Sequence, residues 1–102
     1  MSVEFYPIPA IPYGDFVERC GQRFVLEEVD PPRYTTSHKY LRERDGLCGL
    51  FVFETEDGNV AFEAFGKITK AVDAIFPHIT EQFGVKIQDQ YGLDWKPEGV
   101  SQ

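Results

Sequence analysis

The chain is short of the residues that ordinarily mark a chemical site. Among 102 residues it has two cysteines, two histidines and one tryptophan. Cys20 and Cys48 have neither the paired spacing of a zinc site nor the number needed for a disulfide framework. There is no glycine-rich phosphate loop, nucleophile elbow or HExxH motif. No metal and no cofactor are therefore expected, and enzymatic chemistry has little to stand on. Positive charge is also scarce: 10 Lys and Arg face 17 Asp and Glu, a net charge of −7. General nucleic-acid binding is disfavoured, because its affinity comes largely from Lys and Arg on phosphates. No apolar run approaches the ~20 residues that cross a bilayer. The N-terminus lacks a basic segment followed by an apolar one, so neither a membrane span nor a signal peptide is expected. That pattern points to a cytoplasmic protein with both cysteines as free thiols.

What is abundant is aromatic surface, with nine Phe and five Tyr. At this length one domain with a modest core is expected, and large rings bury much area per residue. The chain is organised around residues 47–83. Leu50 and Val52 share one face of an apolar strand, and Phe51 and Phe53 the other. Apolar residues on both faces suit a central position in a sheet. Asp57-Gly58 supplies turn chemistry, and Val60–Phe65 returns as a second strand. Beyond Gly66, Ile68, Val72, Ile75, Ile79 and Phe83 recur at helical spacing, joined in one stripe by Ala71 and Phe76. Pro77 removes a helix donor, yet the stripe stays in phase across it. The spacing predicts one kinked helix, 67–83, stopped by Gly84; the alternative is two short helices meeting at Phe76-Pro77.

The flanks are plainer. Val3–Tyr6 reads as a short edge strand. Pro7, Pro9 and Pro12 predict an extended strap over residues 1–13, with Ile8, Ile11 and Tyr13 packing inward. Asp15 reads as the N-cap of a short helix carrying Phe16, Val17 and Cys20. Residues 23–29 favour strand over a continuing helix, because Gly21 breaks the pattern and β-branched and aromatic residues follow. Residues 34–41 read as another strand, and 85–88 as a last one. The tail, 96–102, is expected to be flexible. The fold class is α+β: a mainly antiparallel sheet of four to five strands, one long helix on a face and a short N-terminal helix, in a single domain, 1–102.

Three weak constellations remain. Cys48 between Gly46 and Gly49, with His38 as a base on the neighbouring strand, is a nucleophile pattern; an inert buried thiol fits the same residues. Tyr34, Thr36, His38 and Tyr40 share a strand face with Arg33, Arg42 and Arg44 nearby. Arg33, Tyr34, His38, Tyr40 and Arg42 are thus a candidate ligand site, since aromatics among cations stack bases or hold anions. The local balance is small, however: four cations against Glu43 and Asp45 in residues 33–45. Last, Glu27, Glu28, Glu54, Glu56 and Asp57 form an acidic surface suited to docking a basic partner. The sequence therefore favours a non-enzymatic interaction protein, such as an inhibitor, immunity protein or regulator, over a small-molecule or anion binder using the Tyr34/His38/Tyr40 face.

Overall fold

A computed structural model describes residues 2–21, 23–30, 39–44, 49–65 and 68–96. The elements run β1 (Ser2–Ile8), α1 (Tyr13–Cys20), β2 (Phe24–Glu28), β3 (Lys39–Glu43), β4 (Gly49–Glu54), β5 (Val60–Phe65), α2 (Ile68–Phe83) and β6 (Lys86–Asp89). The strands form one sheet in the order β2-β3-β4-β5-β1-β6, every pair antiparallel. The strands expected between residues 23 and 65 are present as β2 to β5, paired as a meander, with residues 34–38 of the third lying outside the described residues. The sheet has six strands rather than four or five because both β1 and β6 add to the four between residues 23 and 65, and β1 is no edge. It sits between β5 and β6, with Val3 against Ala64 on one side and Tyr6 against Gln88 on the other.

Alternation divides the sheet into two faces. Phe5, Phe24, Leu41, Leu50, Val52, Val60, Phe62, Ala64 and Ile87 point to the inner face and are buried. Both helices pack there. Phe76 of α2 sits edge-on to Phe5 and Trp95 at ring-centroid distances of 5.0 and 5.3 Å and tilted against Phe62 at 5.5 Å. Phe16 of α1 lies 5.4 Å from Phe62 and 5.5 Å from Phe83, which ties the two helices together. The Arg19 guanidinium stacks 4.2 Å over the Phe83 ring, and Arg19 and Gln82 exchange hydrogen bonds to each other's carbonyls.

The long helix runs unbroken through Pro77, so the one-helix reading holds, and Gly84 closes it at φ 65° with its N–H on the Thr80 carbonyl. Val72, Ile75, Phe76 and Ile79 are fully buried, as the stripe requires. The short helix starts two residues before Asp15. Pro12 takes the capping position without a side-chain bond, and the Tyr13 N–H finds the Gly58 carbonyl instead. A tertiary acceptor replaces the local cap. Ile8, expected inside, is 38% exposed, whereas Ile11 is buried. Cys20 is a free, buried thiol, and its burial pushes its pKa up. No helix of the described residues is long and apolar enough to cross a membrane.

Candidate functional site

The outer face of the sheet carries Glu4 and Tyr6 of β1, Glu27 of β2, Tyr40 and Arg42 of β3, Phe51 and Phe53 of β4, and Ala61 and Glu63 of β5. Among the described residues no helix covers it. The predicted site residues that fall in described segments therefore share one surface or its rim, except Glu28 and Glu54, which alternate to the inner side at the exposed ends of β2 and β4. Arg33, Tyr34, His38 and Cys48 lie outside the described residues.

The acidic candidates divide into two kinds. Glu27 accepts hydrogen bonds from Arg42 Nε and Nη2 at 2.9 and 2.7 Å, and Glu28 is ion-paired with Lys39. These four side chains neutralise each other across β2 and β3. Arg42 thus belongs with Glu27, and its Nη1 donates to the Arg44 carbonyl at 3.2 Å. Tyr40 is packed as well. Its ring meets Phe51 edge-on at 5.2 Å and lies over Gly49, where a Cβ would come within 2.6 Å of the ring. The glycine is a seat for the tyrosine on the next strand, which the sequence did not announce.

Glu54, Glu56 and Asp57 are different: none makes an ion pair among the described residues. They ride on the β4–β5 turn, a rigid platform. Thr55 N–H bonds the Asn59 carbonyl at 2.8 Å, Gly58 N–H bonds the Thr55 carbonyl at 2.9 Å, and Asn59 N–H bonds Thr55 Oγ1 at 3.2 Å. Gly58 takes φ 82°, a left-handed value that suits the Asp57-Gly58 turn signal.

This turn forms one wall of a cleft of about 640 Å³. The opposite wall is the chain from Glu4 to Ala10, and its path follows from the prolines. The β1–β5 ladder ends at Phe5 opposite Phe62; contact resumes only where the Ile11 carbonyl accepts from Val60 N–H at 2.8 Å and Pro12 bridges Asn59. In between, Pro7 and Pro9 have no N–H to offer β5, and the chain swings away from it. Tyr6, Pro7 and Ala10 line one side of the gap and Phe53, Glu54, Glu56 and Asp57 the other, with Val60 at the base. Residues 2–8 of the expected strap are instead strand β1, with Pro7 and Ile8 paired to β6, and the opening lies where the chain leaves β5.

Among the described residues the cleft is one-signed: Glu4, Glu54, Glu56 and Asp57 line it, and no Lys or Arg does. Glu63, nearly buried at 8% exposure, stands directly opposite Glu4 on β5. The Tyr6 hydroxyl donates to Glu4 Oε1 at 3.3 Å. Burial, with the Glu4 charge, that hydrogen bond and the Glu63 charge behind it, holds the Tyr6 phenol above its ordinary pKa. Tyr6 is therefore a neutral donor with an aromatic face throughout the physiological range. Sequence reasoning missed Glu4, Tyr6 and Phe53 because only the return of β1 to the middle of the sheet brings them beside the turn.

A second cavity, of about 510 Å³, lies between Arg23 and α2 and is lined by Arg23, His78, Glu81 and Gln82. The Arg23 guanidinium faces His78 Nδ1, and the His78 ring lies 6.1 Å from Phe24. Its charges are mixed, and it sits beside the C-terminal turn of α2, whose carbonyls disfavour anions. No group of three or more His, Cys, Asp or Glu side chains among the described residues is placed to hold a metal ion. No protein-family model, curated protein or solved structure matches the chain.

Proposed function

We propose that this protein is a non-enzymatic interaction module that binds a basic macromolecular partner through the acidic cleft of its outer sheet face. The observation that carries the reading is the contrast between the two acidic groups. Glu27 and Glu28 are neutralised by Arg42 and Lys39, whereas Glu54, Glu56, Asp57 and Glu4 surround a concave, partly aromatic surface lined by no cation among the described residues. Unpaired charge of one sign around a concavity focuses the field outward and draws in an oppositely charged partner. A rigid turn beneath the carboxylates limits the ordering cost on association. The role fits an inhibitor, immunity protein or regulator of a basic target. The anion-binding alternative has less support, because Tyr40 is packed on Gly49 and Phe51 and Arg42 is engaged by Glu27.

Affinity capture followed by hydroxyl-radical footprinting of the complex tests the reading. Tyr6 and Phe53 are expected to be protected by the captured basic protein, with Tyr91, 74% exposed on the far side of β6, as the unprotected reference. Protection confined to the β2–β3 region would point to the other face residues and overturn the assignment.

A further inference from the structure

We propose that the cleft between residues 4–10 and 53–60 is a receptor for an arginine side chain of that basic partner. The inference rests on the interaction reading and specifies its contact. Charge alone would accept any cation, and the walls are more selective than charge. Tyr6 and Phe53 present aromatic surface, Pro7, Ala10 and Val60 add apolar lining, and carboxylates stand at the rim. A compact, strongly hydrated ammonium gains little from such walls. A planar, weakly hydrated guanidinium stacks on rings and offers a fork of donors that matches carboxylates two at a time. The chain already uses the same pairing internally, where the Arg19 guanidinium lies 4.2 Å over the Phe83 ring.

The cleft is also arranged to receive such a group without rebuilding. Its rim is fixed by the Thr55–Asn59 bonds, and the Tyr6 hydroxyl already bonds Glu4. At about 640 Å³ it has room for an arginine side chain together with part of the backbone that carries it. The prolines serve this site in a specific way: by ending the β1–β5 ladder at Phe5 they make an opening that a continuous antiparallel pair would close.

The test uses the full chain and three defined probes: an arginine-rich peptide, the same peptide with every arginine replaced by lysine, and one with every arginine replaced by citrulline. Binding is measured by calorimetry at physiological ionic strength. The arginine peptide is expected to bind about 2- to 30-fold more tightly than the lysine peptide, the span set by a cation–π contact at an exposed or a desolvated site. The citrulline peptide is expected not to bind. Tyr6→Leu and Phe53→Leu should each abolish the arginine preference and leave lysine-peptide affinity in place, while Tyr6→Phe, which keeps the ring, should retain it. In the wild-type protein, amide NMR signals of Glu4, Phe53 and Thr55–Asn59 should move on titration with the arginine peptide, an arm that needs no variant to fold. Equal affinities for the arginine and lysine peptides, or a preference that survives both leucine substitutions, would overturn the arginine receptor and leave the basic-partner reading standing. Absence of binding by either cationic peptide would overturn both.

Discussion

Phe76 is the side chain on which the inner layer converges. It is fully buried and makes ring contacts with Phe5 of β1, Phe62 of β5 and Trp95 beyond β6. Replacing it with alanine removes the ring from a site walled by strands on one side and an indole on the other. Collapse is restricted, because Phe5 and Phe62 are held by the ladder that pairs them directly. Phe→Ala at such positions costs about 3–5 kcal/mol, and the loss of three favourable ring geometries places this site toward the upper end. A domain of this size has roughly 5–15 kcal/mol of stability in total. The variant should therefore be marginal, with its urea midpoint displaced far below wild type. Trp95 is the chain's one tryptophan, so its fluorescence reports on the surroundings of this one indole. Its emission should shift to the red in the folded variant as the indole loses its packing partner. Glu81→Ala, an exposed position on the same helix, is the control and should change stability by no more than ~0.5 kcal/mol. Equal midpoints for the two variants, or an unchanged Trp95 emission in Phe76→Ala, would refute the placement of α2 on the sheet.

Other expectations follow from single contacts. Gly49→Ala should cost about 1–3 kcal/mol by overpacking, since its Cβ would meet the Leu41 carbonyl oxygen first and then the Tyr40 ring at 2.6 Å; because the carbonyl belongs to the backbone, thermal melts should show that Tyr40→Ala relieves only part of that loss. Gly58→Val should cost about 1–3 kcal/mol in chemical denaturation, because a β-branched residue is strained at the φ of 82° found there. The hydrogen bond from Gln88, then the Lys86 charge, hold the Asp94 carboxyl below its ordinary pKa. A depressed folded value means that this contribution is fully present above the ordinary aspartate pKa of about 3.9 and is lost as pH falls through the folded value. Asp94 should therefore titrate by NMR below an ordinary aspartate, and Asp94→Asn should flatten the fall of stability with acid in that window.

Much of the fold was legible wherever a local period decided the outcome. Alternation identified β4 and β5 and placed β4 inside the sheet, and the helical stripe survived Pro77 because Ile75, Phe76 and Ile79 bury together around it. The position of β1 was not legible. Four residues followed by prolines resemble an edge, and its two partners lie about sixty and eighty residues away along the chain. The start of α1 was misplaced for the same reason, since the acceptor that replaces its cap is the distant Gly58 carbonyl. The candidate site was half legible. Composition marked the acids, but only register shows that Glu27 and Glu28 face Tyr40 and Lys39 on β3, which leaves Glu27 to Arg42 and Glu28 to Lys39. Nothing local joins Tyr6 to Phe53.

The central claim is that the carboxylates of the β4–β5 turn, rather than those of β2, govern docking. A salt series of association rates tests it most directly, comparing wild type, Glu54→Lys/Glu56→Lys/Asp57→Lys and Glu27→Lys/Glu28→Lys against the captured basic partner. The first variant adds six charges to the wild-type −7 and the second adds four. The wild-type rate should fall as screening shortens the field toward ~8 Å at physiological ionic strength, and the turn variant should be slow with a flat salt dependence. The β2 variant should be slowed far less than its share of the charge. Rates for both variants that follow net charge alone, or a wild-type rate indifferent to salt, would contradict the account.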